Sequence, residues 1–287
     1  MIKTKMGTLS SIQKEITSNL AMKLGLSTRE SLIEAKFILE YVLKKTYAQI
    51  YSDRSINLLK EEELCIRNII KQRLQKKPLG YILKEWDFYG ETFHINDYVL
   101  IPRQDTELLI DLIFKEYKKE TQMNICDLGT GSGIIGITLA KQYKNSQVIL
   151  TDSSKKALII AKENINKFKL INAKTLYSDW YHKFPNLQFD LIVSNPPYID
   201  IDDPFLKKDN LQYEPETALF SRNQGYADIE IIVNNARDYL KKGGQLMIEH
   251  GYNQSKNVKL IFEHAKFLSI KQHLDINSKI RVTSGLG

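Results

Sequence analysis

The chain of 287 residues is 43% hydrophobic and 26% charged, which suits about two domains with packed cores and excludes a disordered protein. No apolar run reaches the roughly 18 to 20 residues that cross a bilayer, no signal-peptide core stands ahead of a small-residue cleavage site, and the two cysteines, Cys65 and Cys126, lack a His or second Cys at ligand spacing; the expectation is a cytoplasmic protein with no disulfide framework and no metal site. The net charge of +7 is unevenly spread: residues 1–84 hold 16 Lys+Arg against 8 Asp+Glu, the remainder 25 against 26, so the excess is either a solvated Lys-rich helical surface or a docking face for an acidic protein or RNA.

Between Leu26 and Lys77 there is neither Gly nor Pro, which predicts helices. A first stripe, Ile12, Ile16 and Leu20, runs within about 8–23. Ser27 with Glu30 forms a capping-box pattern ahead of Leu32, Ala35, Leu39, Val42 and Leu43, and a third stripe is Leu64, Ile69 and Leu74 within about 60–76. These make a small helical bundle over 1–78. After Pro78-Leu79-Gly80, Trp86, Phe88, Phe93 and Ile95 alternate around Gly90, which predicts a β-hairpin linker over 79–100. From Met123 apolar runs alternate with helical stretches, the signature of a mostly parallel α/β sheet over 101–287, and the last two runs, 266–274 and 279–285, predict an antiparallel pair at its edge.

Asp127-Leu128-Gly129-Thr130-Gly131-Ser132-Gly133 stands between a strand and a helix, where glycines let backbone turn tightly against a ligand. Gly131 to Gly136 also fits the spacing of dinucleotide-binding enzymes. Asp127 before the first glycine resembles instead the cofactor loop of S-adenosylmethionine-dependent methyltransferases, where a carboxylate suits a cationic methionine end. Asp152 closes the next strand and can accept both ribose hydroxyls, or can cap the helix after it. Asp179 and Trp180 offer an acceptor and a flat wall for adenine, although Trp180 equally suits a helix-sheet seam.

Asn195-Pro196-Pro197-Tyr198 follows a further strand. Two prolines remove two backbone donors, so the Pro196 carbonyl and the Asn195 side-chain oxygen can be presented as paired acceptors, with Tyr198 as a flat face. Such a pair suits a planar NH2 group, since holding both of its protons favours the pyramidal nitrogen reached on methyl transfer. The alternative is a turn that merely stops a strand.

Together these segments resemble the HemK/PrmC family, the protein-(glutamine-N5) methyltransferases that modify peptide chain release factors. The resemblance spans nearly the whole chain. It rests on Ile101 to Glu107 (IPRQDTE), the DLGTGSG loop, Asp152, Ser178-Asp179-Trp180, NPPY, Glu214-Pro215 with Ala218-Leu219, and Gly243-Gly244 ahead of Ile248-Glu249-His250-Gly251. It implies a Rossmann-like class I methyltransferase sheet and S-adenosyl-L-methionine as cofactor, released as S-adenosyl-L-homocysteine. The implied cofactor contacts are Gly129, Thr130, Gly131, Ser132, Gly133, Asp152, Trp180 and Asn195, and the glutamine site is Asn195, Pro196, Pro197 and Tyr198. The implied substrate is the Gly-Gly-Gln glutamine of class I release factors, gripped by the amino-terminal domain, with a monomeric enzyme needing neither membrane nor nucleic acid. NPPY alone also fits amino-methylases of DNA or RNA. The chain departs from the family pattern at Gln104, usually a proline, at Ser221 to Gln224, commonly a glycine-rich turn, and at Ser278, often a glycine.

Overall fold

The computed structural model describes residues 9–53, 58–182, 184, 186–202 and 210–287. The chain divides into two units, the first ending at Lys84 and the second starting at Glu85. Among the described residues no helix is long and apolar enough to cross a membrane.

The first unit holds α1 (Leu9–Leu24), α2 (Thr28–Leu43), α3 (Tyr47–Ser52), α4 (Lys60–Leu74) and α5 (Leu79–Leu83). The capping box at the start of α2 forms: the Glu30 amide donates to Ser27 Oγ and the Ser27 amide donates to Glu30 Oε2 at 2.8 Å. Ile12, Ile16 and Leu20 bury with Ala35, Ile38 and Leu39 in one core. Two expected core residues are exposed, Leu32 and Leu64. The buried face of α4 is Ile66, Ile69, Ile70 and Arg73, a regular helical stripe that the charge of Arg73 hides from a hydrophobicity reading. Glu34 accepts two hydrogen bonds from that guanidinium, from Nε at 2.8 Å and Nη2 at 2.9 Å, which is what permits its burial.

Residues 79–100, expected as a separate linker, are split by packing. Leu79 and Leu83 enter the helical core, whereas Phe88 and Phe93 enter the core of the second unit. The hairpin itself is present as β1 (Glu85–Phe88) and β2 (Glu91–His94), with Trp86 opposite Phe93. Tyr89 and Gly90 turn it with φ of +49° and +74°, the paired positive values of a type I′ turn.

The second unit is built on a seven-stranded sheet: β3 (Asn124–Leu128), β4 (Gln147–Asp152), β5 (Ala173–Tyr177), β6 (Phe189–Ser194), β9 (Leu240–Glu249), β10 (Leu268–Leu274) and β11 (Ile280–Leu286), in the order β10-β11-β9-β6-β3-β4-β5. All neighbours are parallel except at β11, which runs antiparallel to β9 and β10, so the expected antiparallel pair closes this edge with its second strand on the inside. Alternation along β3 and β6 sends Ile125, Leu191 and Val193 into one core, with α6 (Glu107–Glu116) and α7 (Ile134–Gln142). It sends Cys126 and Ile192 into the other, with α11 (Ala227–Tyr239) and α12 (Ser255–His264); the helix α8 (Lys155–Lys167) joins β4 to β5. Burial pushes the Cys126 thiol well up, as befits core filling.

After β3 the chain builds β4 and β5 to one side, then returns to place β6 on the other. This reversal opens a crevice beyond the carboxyl ends of β3 and β6. Two short strands, β7 (Ile199–Asp200) and β8 (Phe220–Ser221), pair beside it, and the single turns α9 (Glu216–Leu219) and α10 (Arg222–Gly225) flank β8.

Candidate active site

The crevice is an open cleft at the carboxyl ends of the strands, where ligands bind in open α/β sheets. Gly129, Thr130, Gly131 and Ser132 line it, with Asp152, Trp180, Asn195 and Pro197. Gly129, Gly131 and Gly133 all have positive φ, so the loop needs its glycines. At Gly129 there is a second reason, because a Cβ would stand 3.2 Å from the Trp180 ring. Asp152 holds the loop from β4: its carboxylate accepts the Gly131 amide at 2.9 Å and the Ser154 amide at 2.8 Å. Each oxygen retains lone-pair capacity toward the cleft. Burial raises its pKa, against those two bonds.

Asp127 lies beneath the loop and is fully buried, not on the cleft wall. Its Oδ2 accepts Thr130 Oγ1 at 2.5 Å and the Gly136 amide at 2.9 Å, while Oδ1 has no partner among the described residues. Burial, aided by the charge of Asp152, pushes its carboxyl up to about 6. Gly133 starts α7 from below the loop. Asp179 is exposed and also off the wall. Trp180 packs against the sheet core and also lines the cleft, and its Nε1 donates to Asp228 Oδ1 at 2.9 Å.

Of the tetrapeptide, Asn195 and Pro197 reach the cleft, whereas Pro196 is buried. Asn195 Nδ2 donates to Thr106 Oγ1 at 3.1 Å. Asn195 itself lines the cleft, and no hydrogen bond to its Oδ1 is made among the described residues. Tyr198 is turned away from the wall: its hydroxyl donates to Glu249 Oε1 at 3.4 Å and accepts from Arg281 Nη2 at 3.2 Å. Burial and Glu249 push that phenol up to about 12. Its carbonyl accepts Gln254 Nε2 at 3.0 Å, which fastens the end of the motif.

Pro102, Arg103 and Thr106, of the segment 101–107, also line the cleft. The Ile101 amide donates to Glu214 Oε2 at 3.1 Å and Arg103 pairs with Glu214 Oε1, so the loop before α9 is tied over the cleft beside Pro215 and Ala218. Asp105 pairs with Arg281 at 3.0 Å and Glu107 accepts the Tyr89 amide at 2.9 Å. Sequence reasoning passed over Thr106, Asp228 and Arg281 as site residues. The motif around Thr106 gave a signal; Arg281, in an ordinary edge-strand pattern, gave none.

The donor set fits a nucleoside with a cationic tail. Asp152 suits two vicinal hydroxyls, Trp180 a flat base, and the unpartnered Asp127 oxygen under the loop favours positive charge above it.

Two family models match: "PrmC N-terminal domain" over residues 17–83 and "Methyltransferase small domain" over 104–205. A release factor glutamine methyltransferase of Coxiella burnetii is 32% identical over 263 residues, 92% of this chain and 94% of that protein. One of Buchnera aphidicola subsp. Acyrthosiphon pisum is 38% identical over 253 residues, 88% and 90% of the two chains. Among solved structures, a methyltransferase from Pyrococcus furiosus superposes with a TM-score of 0.52 at 16% identity, over 75% of this chain and 96% of that one, a likeness of fold.

Proposed function

This chain belongs to the release factor glutamine methyltransferase family, and from that premise we propose that it methylates the side-chain amide nitrogen of the Gly-Gly-Gln glutamine in class I peptide chain release factors. S-adenosyl-L-methionine supplies, when bound, an electrophilic methyl group on a positive sulfur and leaves as S-adenosyl-L-homocysteine. The loop Gly129 to Gly133, with Asp152 and Trp180, holds the nucleoside, and Asp127 steadies the loop and its charge. Asp179, whose backbone pairs with that of His182, shapes the turn that carries Trp180.

An amide nitrogen is a poor nucleophile because its lone pair is delocalised. Asn195 Oδ1 and the Pro196 carbonyl accept its two protons, orient the nitrogen and favour its pyramidal form. Pro197 stiffens the presentation. Tyr198 enters as the anchor of the motif, since its hydroxyl is held by Glu249 and Arg281. The proton leaves after transfer, when the nitrogen has become acidic, so this reading requires no strong base.

The observation that carries the reading is an Asn195 that lines the cleft of the glycine loop while one N–H of its amide is taken by Thr106. The enzyme works as a monomer in the cytoplasm on a protein; the near-neutral charge of residues 85–287 favours a protein over a nucleic-acid substrate at the cleft. Incubation with methyl-labelled cofactor and unmodified release factor is expected to label the Gly-Gly-Gln peptide, and Asn195→Ala to lower turnover at least about 100-fold with cofactor binding retained. Label in DNA or RNA instead, or full activity of the variant, would reject it.

A further inference from the structure

We propose that Arg281 is a positioning residue for this reaction: from the strand β11 it ties the NPPY turn to the segment 101–107, and so fixes the two pieces of chain between which Asn195 is held. The inference rests on the reading of Asn195 as the acceptor for the substrate amide. Arg281 stands outside the motifs that mark the site in the sequence. Its side chain is nonetheless nearly buried, 11% exposed, an uncommon place for a guanidinium unless it is paired.

Asn195 is held from two distant parts of the chain. Its Nδ2 donates to Thr106 Oγ1 at 3.1 Å, and Thr106 directly follows Asp105. On its own side Asn195 is joined to Tyr198 through Pro196 and Pro197, whose rings fix φ and leave the link little freedom. The placement of Asp105 relative to Tyr198 therefore governs how the Asn195 amide meets the Thr106 hydroxyl. Asn195 and Thr106 both line the cleft, so the same placement governs what that amide presents there.

One nitrogen of Arg281 spans the two. Its Nη2 stands 3.0 Å from Asp105 Oδ2 and donates to the Tyr198 hydroxyl at 3.2 Å, with the guanidinium carbon 5.7 Å from the centre of the Tyr198 ring. The same nitrogen lies 3.8 Å from Glu249 Oε1, to which the Tyr198 hydroxyl donates at 3.4 Å. The donor roles agree: a guanidinium only donates, and a phenol whose one proton goes to Glu249 has lone pairs left for Arg281. The base of the arginine is set by the sheet, since its carbonyl accepts the His250 amide at 2.9 Å and Val282 stands opposite Glu249 in β9. The tie is thus mounted on β11 and β9, and on neither of the loops that it joins. A shift of about 1 Å between those loops would cost on the order of 100-fold in rate, because the nitrogen to be methylated must be held in line with the methyl group.

The test measures kcat, the KM for release factor and the Kd for S-adenosyl-L-homocysteine in Arg281→Met, Arg281→Lys, Asp105→Asn, Tyr198→Phe and the double variant Asp105→Asn with Tyr198→Phe, each at a temperature where circular dichroism shows it folded. Arg281→Met should lower kcat about 10- to 100-fold while KM and Kd stay within about threefold of the parent, and Arg281→Lys, which keeps the charge, should recover a clear part of that loss. Asp105→Asn and Tyr198→Phe each release one end of the tie, so each should lower kcat. The double variant should be no worse than the poorer single one, because a tie broken at one end is already broken, whereas independent losses would multiply. If Arg281→Met does not fold, the double variant decides. Parent-like kcat in Arg281→Met, a loss confined to KM or Kd, or a double variant whose loss is the product of the single losses would overturn the positioning role and leave the proposed reaction standing. A fully active Asn195→Ala would instead reject the acceptor reading and this inference with it.

Discussion

Three buried ionisable groups, Asp127, Glu249 and His250, show how burial acts on single residues in opposite senses. The two carboxyls are pushed up to about 6 and about 7. Their contribution to stability is fully present below the ordinary carboxylate range and is lost as pH rises through those values, so near neutrality Asp127 is held mostly charged at a cost while Glu249 is still partly protonated. His250 is pushed down to about 4, mainly by burial. Its contribution is present above about 6.5 and is lost as pH falls through about 4. His250→Gln is therefore expected to flatten the acid decline in urea-unfolding free energy over that window, by an order of about 3 kcal/mol at its foot. An unchanged decline would place the acid sensitivity elsewhere. Asp127 and Asp152 were legible because each closes a strand beside a glycine loop. Thr106 was legible only as a member of the motif 101–107, and Arg281 not at all, because their partners Asn195, Glu249 and Asp105 are brought from distant parts of the chain by the fold.

At the scale of elements, three of the residues that depart from the family pattern sit in strained backbone. Asn223 and Gln224, in the turn α10, have φ of +53° and +54°, and Ser278, in the turn between β10 and β11, has +60°. These are left-handed conformations that side chains resist and glycine accepts. Ser278→Gly is expected to leave stability unchanged or raise it by up to about 1 kcal/mol, because relief of strain offsets the entropy glycine brings; a clear loss by chemical denaturation would contradict this. Gly225 is the converse case. Its φ is +86° and a Cβ there would lie 2.2 Å from the Tyr198 carbonyl oxygen, a backbone atom that cannot swing aside. Gly225→Ala should cost about 3 kcal/mol or more and displace the end of the NPPY motif, so that turnover falls even where the fold survives. Parent-like turnover and stability would show that this contact yields readily. Helices and strands were readable here because their periods differ; the inward face of α4 was not, because Glu34 makes Arg73 a core residue.

For the molecule as a whole, the division of charge between the units has a consequence for how the proposed substrate is engaged. The chain up to Lys84 carries 16 Lys+Arg against 8 Asp+Glu, whereas the rest is nearly balanced. Part of the excess is neutralised locally, as where Arg67 pairs with Glu63 and Glu15. Lys14, Lys23, Lys71 and Lys76 are exposed and make no ion pair among the described residues. The chemistry proposed at Asn195, by contrast, holds a neutral carboxamide by hydrogen bonds, which salt screens little. A whole release factor that also engages the basic unit should therefore show a KM that rises about tenfold between 50 and 300 mM salt, as the screening length falls below about 10 Å. A short Gly-Gly-Gln peptide, which reaches only the cleft, should show almost no such rise, and kcat should stay level for both. Replacing the four lysines by glutamine should raise the KM of the whole factor at low salt and remove its salt dependence while leaving the peptide untouched. Equal salt dependence for factor and peptide would assign the basic surface to solubility alone, because an electrostatic grip on a distant part of the substrate has to vanish when that part is removed.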